Sequence, residues 1–213
     1  MTESVFDVIG DDARRALMPS TRRHKYKRGE TIFHEGDLGD SLHVIDKGAV
    51  AIRASTPLGD VATFTVLVAG DTFGEGALLS ADSRRSASAV PLEATETRSL
   101  HRDEYERLRA DYPAVERLLV QALAEQVQRL SRHLVEALYH DVDTRLFRRL
   151  SSLADAFGER PIPLTQDDLA SLAGTTRPTA NRTLKAAEDA GILALSRGHI
   201  TILDPDALAR RAR

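Results

Sequence analysis

Between residues 24 and 100, glycine recurs at positions 29, 36, 39, 48, 59, 70, 74 and 76, and the apolar runs between them are short. They read TIFHEGD, SLHVIDKGAVAIRA, VATFTVLVAGDTFGEG, SASAV and TETRSL. Glycine supplies the tight turns and positive φ angles that short strands need. Many short strands joined this way close into a β-barrel or jelly roll. Upstream, the first twenty residues predict one short amphipathic helix with Val5, Phe6, Ile9 and Leu17 on its apolar side.

After Pro113 the period changes. In AVERLLVQALAEQVQRLSRHLVEALYHD, Val127, Leu130, Leu134 and Ala137 repeat at spacings of 3, 4 and 3, and Leu119 and Leu123 extend the stripe backwards. Such a stripe is either a coiled-coil seam or the face of a helix lying on its own β-domain. The helix is long and charged on its other faces, which favours the seam and hence a homodimer. Asp141 and Asp143 close the helix, and a second amphipathic helix is predicted over 144–157.

GERPIPL, with one glycine and two prolines in seven residues, breaks the pattern. Beyond it come TQDDLASLAG, TTRPTANRTLKAAEDAGIL and LALSRGHITIL, the last with Arg197-Gly198 as a hairpin turn. Helix, turn, helix and hairpin is the order of a winged helix-turn-helix. Thr165 caps the first helix in a capping box with Asp168. Gly174 ends that helix, Thr176 caps the next, and Pro178 falls in its first turn. Leu184, Ala187 and Ile192 are the predicted core contacts. The opposite side carries Arg177, Asn181, Arg182 and Lys185. Arginine suits guanine edges, asparagine suits adenine, and lysine suits phosphate. Alone, the face is equally a solvated helix surface; with the cap, the glycine turn and the wing in order, DNA is the favoured partner.

Composition sets outer limits. At 42% hydrophobic and 29% charged the chain is an ordinary soluble globular protein. It has no cysteine, which removes disulfides, zinc fingers and cysteine-ligated iron–sulfur clusters. Net charge is −3, and residues 161–213 carry seven basic against six acidic side chains, so a phosphate-facing surface must be a local patch. No segment approaches the ~18 apolar residues of a membrane span, and the N-terminus does not resemble a secretion signal. A cytoplasmic location with no membrane partner is expected. His24, His34 and His43 lack metal-ligand spacing, so no metal is expected. There is no nucleophile elbow and no phosphate loop with lysine, so the chain is not read as an enzyme.

FGEGALLSADSRRSASAV carries the most chemistry. Phe73-Gly74-Glu75 opens a short helical turn over 76–79, and a strand begins at Arg84-Arg85-Ser86-Ala87 after a polar loop. A hairpin-like return brings the Glu75 carboxylate, the Arg85 guanidinium and the Ser86 hydroxyl together. That set suits a cyclic phosphodiester, with the guanidinium on phosphate, backbone N–H groups adding anion contacts, and the carboxylate on a ribose hydroxyl. The alternative is a surface Glu–Arg pair worth little.

With these motifs the chain resembles the Crp/Fnr family of transcription regulators, which are cyclic AMP receptor protein-like, over nearly its whole length. RGETIFHEGDLGDSLHVIDKGAVAI is similar to the family's first β-roll strands, FGEGALLSADSRRSAS to its phosphate-binding cassette, and TRPTANRTL to its recognition helix. The resemblance implies an α+β chain: a double-stranded β-helix (jelly-roll) cyclic-nucleotide-binding sensor domain over 1–112, a dimerisation helix and hinge over 113–141, and a winged helix-turn-helix over 142–213. It implies a cyclic nucleotide such as cAMP as effector, with no resident cofactor. Glu75 would hold the ribose; Arg85 and Ser86 would hold the phosphate, with Gly74, Gly76 and Ala87 adding backbone contacts.

Leu130 and Ser131 stand where the family faces the base, and Leu130 offers no hydrogen bond to an adenine amino group. Asp141 falls at the hinge. Thr176, Arg177, Pro178, Thr179, Asn181, Arg182 and Lys185 would read double-stranded DNA with a two-fold operator. Pro178 replaces the family's usual glutamate and cannot accept from cytosine. The family's polymerase-contacting loop falls in a connection that is shorter here; RNA polymerase is a candidate partner, and the sign of regulation stays open. The alternative is a constitutive DNA-binding regulator with a vestigial or differently tuned pocket.

Overall fold

The computed structural model describes residues 9–55, 60–79 and 82–213. These fall into two compact units, Met1–Ser55 with Val66–Leu130 and Thr56–Thr65 with Ser131–Arg213. The expected N-terminal helix is α1 (Asp11–Leu17), which buries Ala13 and Leu17. Val5, Phe6 and Gly59 lie outside the described residues.

The glycine-punctuated segment forms β1 (Arg22–Tyr26), β2 (Ser41–Lys47), β3 (Ala49–Ser55), β4 (Val61–Val68), β5 (Thr72–Phe73), β6 (Ser88–Pro91) and β7 (Thr95–His101). One sheet has the order β1-β7-β2-β5 and the other β4-β3-β6. The registered pairs are antiparallel, Leu42 opposite Leu100 and Val50 opposite Pro91 among them. This is the expected jelly roll; in β2 both faces are covered, so side chains of opposite parity enter different core clusters. Ile45, Val50, Leu67, Phe73 and Ala89 form one core cluster. A second joins Leu42, Val44 and Leu100 to Leu17, to Tyr105 and Leu108 of α2 (Arg102–Asp111), and to Val115, Leu118 and Leu119 of α3 (Ala114–Tyr139).

The apolar stripe of α3 divides in two. Leu119 is 7% exposed and Leu123 packs on the same core, whereas Val127, Leu130, Leu134 and Leu138 are 58–65% exposed. The first part lies on its own β-domain; the second part presents apolar side chains to the surface. α3 ends at Tyr139, and Asp141 starts the next helix instead of closing this one, accepting from the Thr144 amide at 2.7 Å. Its short carboxylate serves an exposed N–H, which is a helix-starting role.

The second unit continues with α4 (Val142–Phe157), α5 (Gln166–Leu172), α6 (Arg177–Asp189), β8 (Leu193–Ser196), β9 (His199–Ile202) and α7 (Pro205–Arg211). Leu146, Leu150, Leu164, Leu169, Leu184 and Ile200 are almost fully buried in it. The capping box at Thr165 and Asp168 is present. Thr176 holds the N-cap position of α6 but makes no capping bond; its hydroxyl meets that of Thr179 at 3.1 Å. The β8–β9 hairpin turns at Gly198, with φ 74°, and Ile200 bridges to Ile162. Among the described residues no helix is long and apolar enough to cross a membrane.

Gly48 makes the β2–β3 turn with φ 95°, and a Cβ there would stand 2.5 Å from Thr95 Oγ1 and 2.8 Å from the Ala94 carbonyl. Strain and overlap add, so Gly48→Ala is expected to destabilise the protein by roughly 1–3 kcal/mol. Urea unfolding checks this; a stability equal to wild type would show that the turn relaxes freely.

Candidate functional site

Loop 36–39 pairs with residues 83–85 through backbone bonds. The Gly36 amide donates to the Arg85 carbonyl at 2.8 Å, Arg85 to Asp37 at 2.9 Å, and Gly39 to Ser83 at 2.9 Å. These bonds fix the Arg85 backbone, and its side chain turns inward. Arg85 is 7% exposed. Nη1 donates to the carbonyls of Ser41 at 2.8 Å and Gly74 at 3.0 Å, and Nη2 donates to Ser41 Oγ at 3.2 Å. The guanidinium lies 4.1 Å from the centre of the Phe33 ring, a cation–π distance. Its Nε is buried without a hydrogen-bond partner.

Glycine makes this packing feasible. Gly74 has φ 78°, and a Cβ on it would overlap Arg85 Nη1; a Cβ on Gly39 would lie 3.0 Å from Ala77 Cβ and 3.2 Å from Arg85 Nε.

Glu75 opens a 3-10 turn over Glu75–Leu78, one residue before the expected 76–79, because left-handed Gly74 already turns the chain. Burial raises the Glu75 pKa, while its own backbone amide and the charges of Arg129 and Arg85 act against the rise. Arg129 of α3 lies 3.9 Å from Asp71, whose carboxyl burial also raises. Thus Arg129 is the α3 side chain whose charge reaches the cassette. Leu130, 58% exposed, and the exposed Ser131 are on another side of that helix. Ser86 is exposed, Gly76 half-buried and Ala87 buried. Sequence reasoning missed Phe33, Ser41 and Arg129. Their roles come from tertiary neighbours, and nothing local in the sequence marks them.

A polar line runs behind Arg85. Ser41 Oγ donates to Asp40 at 2.9 Å. Burial works against ionisation of Asp40, but the Ser41 hydroxyl and the charges of His101 and Arg85 outweigh it and hold the carboxyl below its usual range. His43 stacks on Phe73 with ring centres 5.0 Å apart and stands 3.4 Å from both Ser41 Oγ and Thr97 Oγ1. Burial, then the charge of Arg85, then His24 and His101, lower its pKa to about 3, so the ring is neutral at ordinary pH. His24 bonds Ser99 at 2.9 Å, and His34 is exposed.

The predicted recognition helix α6 buries Ala180, Thr183, Leu184 and Ala187. Thr176, Arg177, Pro178, Arg182 and Lys185 are exposed, with Thr179 and Asn181 half-buried. Besides the Thr176–Thr179 hydroxyl pair, three of these side chains have partners: Arg177 Nη1 lies 3.3 Å from Asp167, Asn181 Nδ2 donates to Gln166 Oε1 at 2.7 Å, and Lys185 Nζ donates to Glu188 at 2.9 Å. The turn before α6 is held from α4. Arg145 donates to the carbonyls of Ala173 at 2.9 Å, Gly174 at 3.3 Å and His140 at 2.9 Å. Thr183 donates to Asp143 at 2.5 Å. Gln166, Asp167 and Arg145 were not legible as parts of this face.

Comparison with known proteins agrees with this geometry. Residues 23–112 match a cyclic nucleotide-binding domain, and residues 128–211 match a Crp-like helix-turn-helix domain. The chain is 31% identical to a CRP-like cAMP-activated global transcriptional regulator of Mycobacterium tuberculosis, over 98% of this chain and 96% of that protein. The chain belongs to the Crp/Fnr family of transcription regulators. It shares 33% identity with the cyclic AMP receptor protein of Thermus thermophilus, over 85% of this chain and 83% of that protein. The crystal structure of the Thermus thermophilus catabolite activator protein, 29% identical, superposes with a TM-score of 0.56 over 98% of this chain and 97% of that one. This Crp/Fnr regulator therefore pairs a cyclic nucleotide-binding domain with a DNA-binding one and is not an enzyme.

The neutral His43 of this Crp/Fnr chain makes stability depend on pH. Below about 6.5 the unfolded ring takes up a proton that the folded ring refuses, so stability is full above that pH and falls toward about 3. The loss approaches about 1.4 kcal/mol per pH unit. In His43→Phe the stability difference from wild type should shift in the variant's favour by that slope as pH drops from 6 to 4, a window set by those two values. Denaturant titrations at each pH measure it; parallel wild-type and variant curves would mean that His43 is not held neutral.

Proposed function

We propose that this regulator is a homodimer whose binding to a two-fold DNA operator is gated by a cyclic nucleotide, cAMP or a close analogue. The pocket is Gly74, Glu75, Gly76, Arg85, Ser86 and Ala87. The observation that carries the reading is Arg85: a buried guanidinium beside Glu75 whose Nε has no acceptor. A buried donor left unpaired costs free energy, and an anionic oxygen relieves that cost. The M. tuberculosis relative is described as cAMP-activated, which supports the same effector here.

The exposed stripe Val127, Leu130, Leu134 and Leu138 supports a dimer seam. Leu130 and Ser131 are exposed on the same helix, so a base that reaches them sits close to that seam. The sensor spans 1–112, the dimerisation helix and hinge 113–141, and the DNA domain 142–213, with the hinge at Asp141. Ligand binds one arrangement better than the other and so shifts the population. Reading a palindrome requires recognition helices ~34 Å apart. Thr176, Arg177, Pro178, Thr179, Asn181, Arg182 and Lys185 form the DNA face. The setting is the cytoplasm, and RNA polymerase is the further partner that the family suggests.

Two observations favour a second reading, a constitutive regulator with a vestigial or differently tuned pocket. Both Nη1 bonds of Arg85 go to the protein's own carbonyls, and Leu130 cannot hydrogen-bond adenine. Titrating operator binding with and without cAMP and cGMP separates the two.

In calorimetry, Arg85→Ala should weaken cAMP binding by about 1.5–3 kcal/mol, while Glu75→Ala should weaken cAMP but spare inorganic phosphate. Equal affinities in wild type and both variants would remove the pocket assignment. Separately, sedimentation should give a wild-type dimer with or without nucleotide, and Leu134→Asp should give monomer by placing like charges opposite each other in the seam. A monomeric wild type at micromolar concentration would remove the seam.

A further inference from the structure

We infer that Gln166, outside the recognition helix, sets which base Asn181 reads; this rests on the proposed DNA-facing role of Arg177 and Asn181. The Thr165–Asp168 capping box fixes the first turn of α5, and with it the positions of Gln166 and Asp167. Both then reach α6. Gln166 Oε1 accepts from Asn181 Nδ2 at 2.7 Å, and Asp167 pairs with Arg177 at 3.3 Å.

The consequence follows from the amide. A primary amide has one acceptor and two N–H hydrogens, and rotation by half a turn exchanges its ends. With one hydrogen committed to Gln166, Asn181 keeps its second N–H and its Oδ1, neither of which meets a protein partner among the described residues. That remaining donor and acceptor match N7 and the N6 amino group of adenine. The flipped amide would turn two donors outward and suit the two acceptors of guanine instead. Gln166 is a positioning residue: with its Oε1 facing Asn181, one Asn181 N–H is committed inward and the adenine-matching donor and acceptor are left outward.

Selection from random duplexes by the full-length protein, with and without cAMP, tests this. Wild type should enrich a palindrome with adenine at one column of each half-site, and Asn181→Ala should flatten that column about tenfold. Gln166→Met keeps the length but cannot accept; it should flatten the same column and no other, by about three- to tenfold. Gln166→Glu can only accept. It should keep the adenine preference while lowering affinity evenly across sequences, because it adds negative charge near phosphate. The double variant Gln166→Met/Asn181→Ala should be no flatter at that column than Asn181→Ala alone. Where Gln166→Met does not fold, Gln166→Lys, a donor only, replaces it with the same expected loss.

The inference is overturned if Gln166→Met leaves the column intact, flattens all columns alike, or is matched by Gln166→Glu. It is also overturned if Asn181→Ala changes nothing. Arg177→Ala separates the two failures. If it flattens its own column, the DNA-reading face stands and only the role of Gln166 falls; if it too is silent, the reading of the face has failed with it.

Discussion

A buried guanidinium organises the first unit. Arg85 ties the Ser41 carbonyl, where β2 begins, to the Gly74 carbonyl, where the cassette turn begins. A charge removed from water needs donors met and surroundings that fit closely; three hydrogen bonds meet Arg85, and its Nε is left over. The surroundings here are a ring on one side and two glycines whose missing side chains leave the space that the guanidinium fills. The cassette is therefore positioned by the group read as its ligand contact. The same cation helps keep His43 neutral, and the ring can then sit against Phe73 as an apolar neighbour.

The second unit repeats the device at a helix end. The last carbonyls of a helix lack partners within it and form its negative pole. Arg145 and Arg149 of α4 supply those of α5 with donors, at Leu172, Ala173 and Gly174. Gly174 turns with φ 62°, and Thr183 then locks α6 to Asp143. The angle between α5 and α6 is thus set from α4, and the pairs joining Gln166 to Asn181 and Asp167 to Arg177 form across it.

What the sequence disclosed follows from the range of each interaction. The capping box at Thr165 was legible because both partners lie three residues apart. The neighbouring expectation at Thr176 failed locally: its hydroxyl meets the Thr179 hydroxyl, and residue type alone does not settle that choice. The jelly roll was legible through its glycines. The stripe on α3 was legible as a face, but periodicity does not say what covers a face. Leu119 and Leu123 meet their own β-domain, while Val127 to Leu138 remain exposed. Arg85 carried a motif, yet its inward turn depends on Ser41, 44 residues away. Arg129 and Gln166 had no motif and became visible only when folding brought Asp71 and Asn181 beside them.

The weak basic balance of the C-terminal segment has a structural counterpart. Of the three cations on the exposed face of α6, Arg177 and Lys185 already face carboxylates, and only Arg182 has no partner among the described residues. Exposed pairs of this kind are worth ~0–1 kcal/mol, so a cation leaves its carboxylate readily when a better acceptor arrives. A phosphate offers attraction alone, and the carboxylate left behind is repelled by the DNA, so contact with arbitrary sequence gains little. On the proposed DNA face, a guanine edge would offer two aligned acceptors to Arg177, a gain that depends on geometry and so on sequence. Pre-paired cations therefore lower the sequence-independent part of binding more than the sequence-dependent part. On the proposed reading, a chain of net charge −3 can discriminate among sites without a strongly basic surface, because its selectivity would reside in how a few side chains are held.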